Sequence, residues 1–142
     1  CLAQGLQPDG ELHTFEVDDE LYDLAHSFFQ RSEQAALIKQ PTGSALEKAP
    51  KLNLTFDLVF IDGDKREYTA YYDMLINKGL VRSGSYILAD NVLWYGKILD
   101  EVARNDKHTQ NILEFNQMVQ DDPRVENVIL PLRDGMTLIR II

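Results

Sequence analysis

The sequence is short of cysteine, of long apolar runs and of positive charge. Its one cysteine, Cys1, cannot form a disulfide within the chain, so nothing indicates an oxidising compartment. No apolar run approaches the roughly 18–20 residues that a membrane-spanning helix needs, and no basic segment followed by an apolar one opens the chain. These absences predict a soluble protein of the cytoplasm that has no membrane partner.

The charge balance argues against a nucleic-acid partner. The chain carries 23 acidic and 14 basic residues, for a formal net charge of −9, and has no basic stripe. Such a surface repels a phosphate backbone. The 142 residues, 44% of them hydrophobic, are the amount of chain that one globular domain uses, so we expect a single domain over residues 1–142.

The first third of the chain carries weak secondary-structure signals. It opens without methionine on "CLAQGLQPDG", which resembles the end of a helix followed by a turn and suggests that an upstream segment is missing. "ELHTFEVD" alternates as a strand does, and Asp18-Asp19 can cap the helix that follows. Further on, "AALIK" favours a short strand, "PTGS" a turn and "ALEKAPKLN" a frayed helix.

The rest of the chain alternates strands with helices. "FDLVFID" is a continuous apolar run, typical of a parallel strand buried on both faces, and "GSYILADN" is a second strand. One helical stripe lies between them and another follows. "VENVILPL" and "MTLIRII" flank "RDG", which favours a tight antiparallel reversal. The pattern predicts an α/β fold, mostly parallel, with an antiparallel C-terminal strand. The two stripes are Tyr68, Tyr71, Tyr72, Leu75, Ile76 and Ile112, Phe115, Met118, Val119.

Both predicted parallel strands end in polar residues. The first ends at Asp62 and the second at Asp90-Asn91, with room for one crossover helix between them. Ligands of such sheets bind beyond the carboxyl ends of the strands. Two carboxylates and an amide there are the oxygen donors that hard divalent cations accept, Mg²⁺ in particular, with Ca²⁺ or Mn²⁺ as alternatives.

Other interpretations of these residues remain open on sequence alone. Asp62 can be a helix cap, and Asp90-Asn91 can be a turn. The string Asp62-Gly63-Asp64 resembles the start of a calcium loop, but Arg66 and Glu67 stand where that loop needs an oxygen ligand and a glycine, which excludes an EF-hand. An aspartyl phosphotransferase is also disfavoured, because Arg66 replaces the Thr or Val expected two residues after the second Asp.

Three segments carry a family resemblance. "FDLVFIDGDKREYTAYYDML", "GSYILADNVLWYGKI" and "LPLRDGMTLIR" resemble the cation-dependent O-methyltransferases, the group that contains the caffeoyl-CoA and catechol enzymes. The resemblance covers about the whole chain and implies a Rossmann-like S-adenosylmethionine-dependent methyltransferase fold. It also implies that Asp62, Asp90 and Asn91 hold the metal and that Lys65 is the catalytic residue.

The same resemblance implies a cofactor site. Glu16 matches the acidic residue that binds the ribose of S-adenosylmethionine, and Ser44 and Ala45 in "TGSALE" match the loop near the adenine. Asp62 is counted among the cofactor-binding residues as well as the metal ligands. The implied acceptor is a small aromatic molecule with vicinal hydroxyls, and Trp94 is a candidate to line its pocket. An aromatic residue in that position packs into a core at least as often.

The resemblance also implies what this chain lacks. The family's glycine-rich loop, the first strand of its sheet and the N-terminal helices that support dimers precede the stretch that resembles "CLAQGL". We therefore expect a truncated methyltransferase domain whose first strand is missing, from a family that forms homodimers. The alternative from another class is a non-catalytic α/β module that self-associates through exposed sheet edges.

Overall fold

The computed structural model describes residues 1–142, which form two compact units, Cys1–Leu52 and Asn53–Ile142. None of its helices has the length and apolar character needed to cross a membrane. The expectation of one domain over the whole chain stays a prediction.

The first unit contains a small parallel sheet and two helices. Strand β1 (Leu12–His13) pairs in parallel with β2 (Ile38–Lys39). Between them lies α1 (Asp19–Phe29), and α2 (Ala45–Lys48) follows and continues into a 3-10 turn, Ala49–Leu52. Asp18 caps α1 as predicted, because its carboxylate accepts the backbone N–H groups of Glu20 and Leu21. The frayed helix predicted here is confirmed, and the two predicted strands form in part, since the first half of "AALIK", Ala35–Leu37, is a 3-10 turn.

The second unit is a four-stranded sheet with two helices. Its elements are β3 (Leu58–Ile61), α3 (Tyr68–Asn77), β4 (Tyr86–Asp90), α4 (Lys107–Asp121), β5 (Val125–Leu130) and β6 (Met136–Ile141). The strand order is β3-β4-β6-β5. β3 and β4 are parallel, whereas β6 runs antiparallel to both of its neighbours. The predicted α/β fold with an antiparallel C-terminal strand is confirmed.

The core of this unit lies between one face of the sheet and the helices α3 and α4. Ile87 and Ile139 are fully buried neighbours on β4 and β6. From the helices, Tyr68, Tyr72 and Phe115 are equally buried, and both tyrosine rings meet Phe115 edge-on. Such edge-to-face contacts between aromatic rings add to the stabilisation from apolar burial.

The prediction that β3 is buried on both faces is wrong. Leu58 and Phe60 are 49% and 42% exposed, while Ile61, which points to the opposite face, is 5% exposed. Successive side chains of a strand point to opposite faces, and only the face that carries Ile61 contributes to the core with α3 and α4. Val128 on β5, which shares the outer face, is exposed as well. An unbroken apolar run therefore does not prove two covered faces.

Candidate active site

The two polar strand ends come together as the sequence predicts. Ile61 of β3 pairs with Ala89 of β4 in parallel register, so Asp62 and Asp90 follow at neighbouring positions on the same edge of the sheet. Asp62 is half-exposed, and Asp90 is partly buried at the end of its strand. The structure thus places two carboxylates side by side at the edge where α/β sheets bind ligands.

Asp62 is not the cap of the following helical turn. That turn, Lys65–Glu67, is capped by Asp64, whose carboxylate accepts the backbone N–H of Arg66 at 2.9 Å and also pairs with the Arg66 guanidinium. These hydrogen bonds hold the pKa of Asp64 near 2, well below its usual range. The interpretation of Asp62 as a helix cap is therefore wrong, because Asp64 caps the turn.

Lys65 is buried and lies against Asp62. It is only 7% exposed, and its Nζ donates to Asp62 Oδ1 at 3.2 Å and to the Tyr68 hydroxyl at 2.5 Å. A lysine is almost never buried to this extent unless it is paired. Lys65 is therefore not a solvated surface charge, and its amine group lies at the edge of the sheet beside the carboxylates.

Tyr68, which the sequence predicts only as part of a helical stripe, contacts both strand ends. Its hydroxyl faces the backbone carbonyl oxygens of Asp90 at 2.9 Å and Ile61 at 3.2 Å. Burial, followed by the charges of Asp62 and Asp90, raises the pKa of the Tyr68 phenol, which keeps it protonated. Its position three residues after Lys65 was visible in the sequence, but its contact with β4 was not.

The segment after β4 has an unusual backbone. Asn91 (φ 58°), Trp94 (φ 46°) and Tyr95 (φ 56°) adopt left-handed conformations that non-glycine residues seldom take. The β5–β6 turn holds this segment, because the Asp134 carboxylate accepts the N–H of Tyr95 at 2.6 Å and the Asp134 carbonyl accepts the N–H of Leu93 at 3.0 Å. The hairpin is therefore part of the support of the site.

An open cleft lies beside Asp90 and Asn91. Its volume is about 560 Å³, and its remaining walls come from the segment after β4 and from the β5–β6 turn. Tyr95 is the aromatic residue that lines it, and its side chain is 80% exposed. Trp94 instead stacks on His108, with ring centroids 6.0 Å apart. The substrate-lining role of Trp94 stays a prediction, and Tyr95 is a candidate that the sequence analysis missed, although it is the next residue.

Three of the four predicted cofactor residues, Glu16, Ser44 and Ala45, lie in the first unit, whereas Asp62 belongs to the second. Glu16 follows β1, and its backbone carbonyl accepts the N–H of Gly43 at 3.1 Å. Glu16 Oε1 accepts the N–H groups of Val17 and Asp18. Ser44 caps α2, which begins at Ala45, by accepting the N–H of Leu46 at 3.2 Å. These residues follow the carboxyl ends of two parallel strands, where nucleotides bind in such folds.

The donor set at the strand ends is limited to oxygen. No group of three His, Cys, Asp or Glu side chains in the chain is arranged to hold a metal. What the sheet edge offers is two carboxylates and the amide of Asn91, beside an open cleft that leaves room for water. Those donors fit a hard cation such as Mg²⁺, which binds through one or two carboxylates and keeps several waters.

Comparison with known proteins shows the family. A model of the O-methyltransferase family matches residues 1–142. The chain belongs to the O-methyltransferase family. Caffeoyl-CoA O-methyltransferase 1 of Eucalyptus globulus is 33% identical over 148 residues, which is 97% of this chain and 59% of the relative. Tricin synthase 2 of rice, Oryza sativa subsp. japonica, is 32% identical over 149 residues, 97% of this chain and 50% of the relative.

Solved structures of O-methyltransferases have the same fold. The Bacillus cereus enzyme in complex with SAH is 29% identical, with a TM-score of 0.90 over 99% of this chain and 67% of that one. TomG from Streptomyces achromogenes, in complex with SAM, is 29% identical with a TM-score of 0.89, over 99% of this chain and 66% of that one. The chain spans 50% to 62% of the length of the first three curated relatives.

Proposed function

We propose that this chain is the catalytic part of an S-adenosylmethionine-dependent, divalent-metal-dependent O-methyltransferase whose acceptor is a vicinal aromatic diol. The observation that carries the proposal is the convergence of Asp62, Lys65, Asp90 and Asn91 at one edge of the sheet, beside an open cleft. Family membership supplies the reaction class, and these residues supply the chemistry at the acceptor.

Asp62, Asp90 and Asn91 would hold the cation, with Mg²⁺ as the first candidate and Ca²⁺ or Mn²⁺ as alternatives. Asp62 is half-exposed, while Asp90 and Asn91 line the cleft. The left-handed backbone of Asn91 and the hydrogen bond from its N–H to Asp90 Oδ1, 2.8 Å long, fix these two residues relative to each other. When bound, the cation would lower the pKa of an acceptor hydroxyl and fix its position.

Lys65 is the proposed general base. The hydroxyl oxygen of the acceptor would form a bond to the methyl carbon as the carbon–sulfur bond breaks, so that the sulfonium becomes a neutral thioether. The hydroxyl proton would pass to Nζ of Lys65 after the Lys65 ammonium has released one of its own protons to water. Most of the acceleration would come from holding the two reactants in line, which a buried, hydrogen-bonded Lys65 at the rigid sheet edge favours.

Glu16, Ser44 and Ala45 are proposed to hold the adenosine of S-adenosylmethionine. Glu16 Oε1 is engaged by two backbone N–H groups, so Oε2 would accept a ribose hydroxyl. The loop at Ser44 is tied to Glu16 through the parallel bridge between Glu16 and Thr42. Asp62 is proposed to contribute to cofactor binding as well. The acceptor would lie in the cleft, against Tyr95 and with Trp94 nearby.

Calorimetric titration tests the proposal. Mn²⁺ and S-adenosylmethionine are titrated, separately and together, into three proteins: the wild type, Asp90→Asn and Asp100→Asn. Methyl transfer to a catechol is measured in the same proteins with labelled cofactor. Asp100 is the control, since it is exposed and lies outside the cleft. We expect Asp90→Asn to weaken Mn²⁺ binding about tenfold or more and Asp100→Asn to leave it unchanged. Equal Mn²⁺ affinity in the two variants would refute the metal site.

A second candidate, a self-associating module without catalysis, is favoured by one observation. The outer face of the sheet exposes Leu58, Phe60 and Val128, and the backbone of β3 is paired on one side only. Exposed strand edges and apolar faces are templates for pairing with another chain. Sedimentation velocity of the wild type and Phe60→Lys tests association through this face, because the lysine would weaken it, and the methyl-transfer assay decides whether the chain is catalytic. A homodimer, as the family resemblance implies, belongs to the same proposal.

A further inference from the structure

Lys65 is held by one residue that also touches both strand ends. The Lys65 ammonium donates to the Tyr68 hydroxyl, and Nζ lies 4.6 Å from the centroid of the Tyr68 ring. The same hydroxyl lies within hydrogen-bonding distance of two backbone carbonyl oxygens, that of Asp90 at 2.9 Å and that of Ile61, the residue before Asp62, at 3.2 Å. Tyr68 is fully buried, so these contacts exclude water.

We infer that Tyr68 is a positioning residue that fixes Lys65 and ties the ends of β3 and β4 together through its hydroxyl. A phenol has one proton and can accept as well, and Tyr68 uses both capacities: it accepts from Lys65 and donates to the nearer carbonyl, that of Asp90, with the Ile61 carbonyl 3.2 Å away. The inference rests on the proposed function for the meaning of Lys65 and of the metal ligands. The inference goes beyond the proposed function because it assigns the positioning of the site residues to Tyr68, which does not line the cleft.

The physical reason is the rotational freedom of a lysine. Ordering a lysine side chain costs more conformational entropy than ordering most other side chains, so its amine stays in one place only if several contacts hold it. Asp62, the other partner of Lys65, is half-exposed and is itself a proposed metal ligand. Tyr68 is the rigid partner, because its ring is packed edge-on against Phe115 with centroids 5.4 Å apart.

The chain offers a matched control in Tyr72. Like Tyr68 it is fully buried, lies on α3, meets Phe115 edge-on and uses its hydroxyl in a hydrogen bond. Its partner, however, is the Asp122 carboxylate at the far end of α4, away from the strand ends. Tyr68→Phe and Tyr72→Phe therefore remove the same atom from the same core, and only the first change touches Lys65.

The first experiment observes the lysine ammonium groups by ¹H–¹⁵N NMR. A buried, hydrogen-bonded ammonium exchanges its protons with water slowly and gives a resolved resonance, which we assign to Lys65 by its loss in Lys65→Arg. We expect this resonance to disappear in Tyr68→Phe and to remain in Tyr72→Phe. Its persistence in Tyr68→Phe, or its loss in both variants, would overturn the inference. The inference would also be overturned if the Lys65 ammonium of the wild type exchanged its protons with water as fast as the exposed lysines do, and this measurement requires no tyrosine variant.

The second experiment measures Mn²⁺ affinity in the same proteins. We expect Tyr68→Phe to raise the Kd for Mn²⁺ about tenfold, as loss of a residue that orients metal ligands does, and Tyr72→Phe to leave it within twofold of the wild type. An equal change in both variants would count against the inference. If the wild type binds no Mn²⁺, the metal part of the proposed function fails, and the Lys65 resonance alone decides the role of Tyr68.

Discussion

Replacing Gly135 with alanine tests how the β5–β6 turn supports the segment after β4. Gly135 has φ +79°, and a Cβ added there would overlap with Leu93 Cγ and lie 2.9 Å from Leu93 Cδ1, closer than non-bonded carbon atoms approach. Gly79 also has a positive φ, +68°, but an added Cβ meets nothing within 4 Å. The pair separates the cost of a left-handed alanine from the cost of displacing Leu93.

The expected magnitudes follow from these two terms. A left-handed conformation costs an alanine about 1–2 kcal/mol, which is the whole expected loss for Gly79→Ala. Forcing extra atoms into a packed region adds about 1–3 kcal/mol, so Gly135→Ala should lose about 2–5 kcal/mol of unfolding free energy. Gly135→Ala is expected to cost more than Gly79→Ala because Leu93 cannot move away freely, since its N–H donates a hydrogen bond to the Asp134 carbonyl.

Urea unfolding followed by the fluorescence of Trp94 measures both variants, since Trp94 is the only tryptophan and lies in the second unit. The double variant Leu93→Ala, Gly135→Ala should recover part of the steric cost, with a coupling energy of about 1–3 kcal/mol. If Gly135→Ala and Gly79→Ala destabilise the protein equally, the turn does not pack against Leu93 as described, and the account of how the hairpin supports the site is wrong.

Three further predictions concern stability. The hydrogen bonds from Arg124 lower the pKa of Asp122 to about 2, so the stability that this carboxylate contributes is present above about pH 4 and is lost as the pH falls through 2. The difference in unfolding free energy between the wild type and Asp122→Asn, measured by urea unfolding, should therefore shrink as the pH is lowered from about 4 to about 2. Asp18→Ala removes the cap of α1 and should cost about 1 kcal/mol, whereas Asp19→Ala, one residue inside the helix, should cost less in thermal unfolding. Phe115→Ala, which opens a cavity in the core of the second unit, should cost about 3–5 kcal/mol in urea.

Much of the site could be predicted because its signals are local in the chain. Asp62 and Asp90-Asn91 each follow an apolar strand, and parallel strands that are close in sequence place such ends on one edge. The caps and turns were visible for the same reason. Asp18 caps the helix that it precedes, and Asp134-Gly135 forms the predicted reversal between β5 and β6. The contacts of Asp134 with Leu93 and Tyr95, far away in the chain, were not predicted.

The contacts between distant segments could not be predicted. Nothing in the spacing of Tyr68 shows that its hydroxyl reaches the carbonyl of Asp90, and nothing in "WYGK" distinguishes Trp94, which stacks on His108, from Tyr95, which lines the cleft. The apolar run of β3 gave a wrong expectation of burial on both faces, because hydrophobicity shows that a face can be covered and does not show what covers it.

The sequence by itself determined the order of the elements, the α/β class and the identity of the residues at the strand ends, since these follow from periodicity, capping and turn chemistry. The tertiary structure decided which of the two neighbouring aspartates, Asp62 or Asp64, caps the helical turn and which one remains available at the site. It assigned the capping role to Asp64 and left Asp62 beside Lys65, and it buried that lysine against Tyr68. Burial and pairing are properties of the packed core, where residues far apart in the chain exclude water from one another.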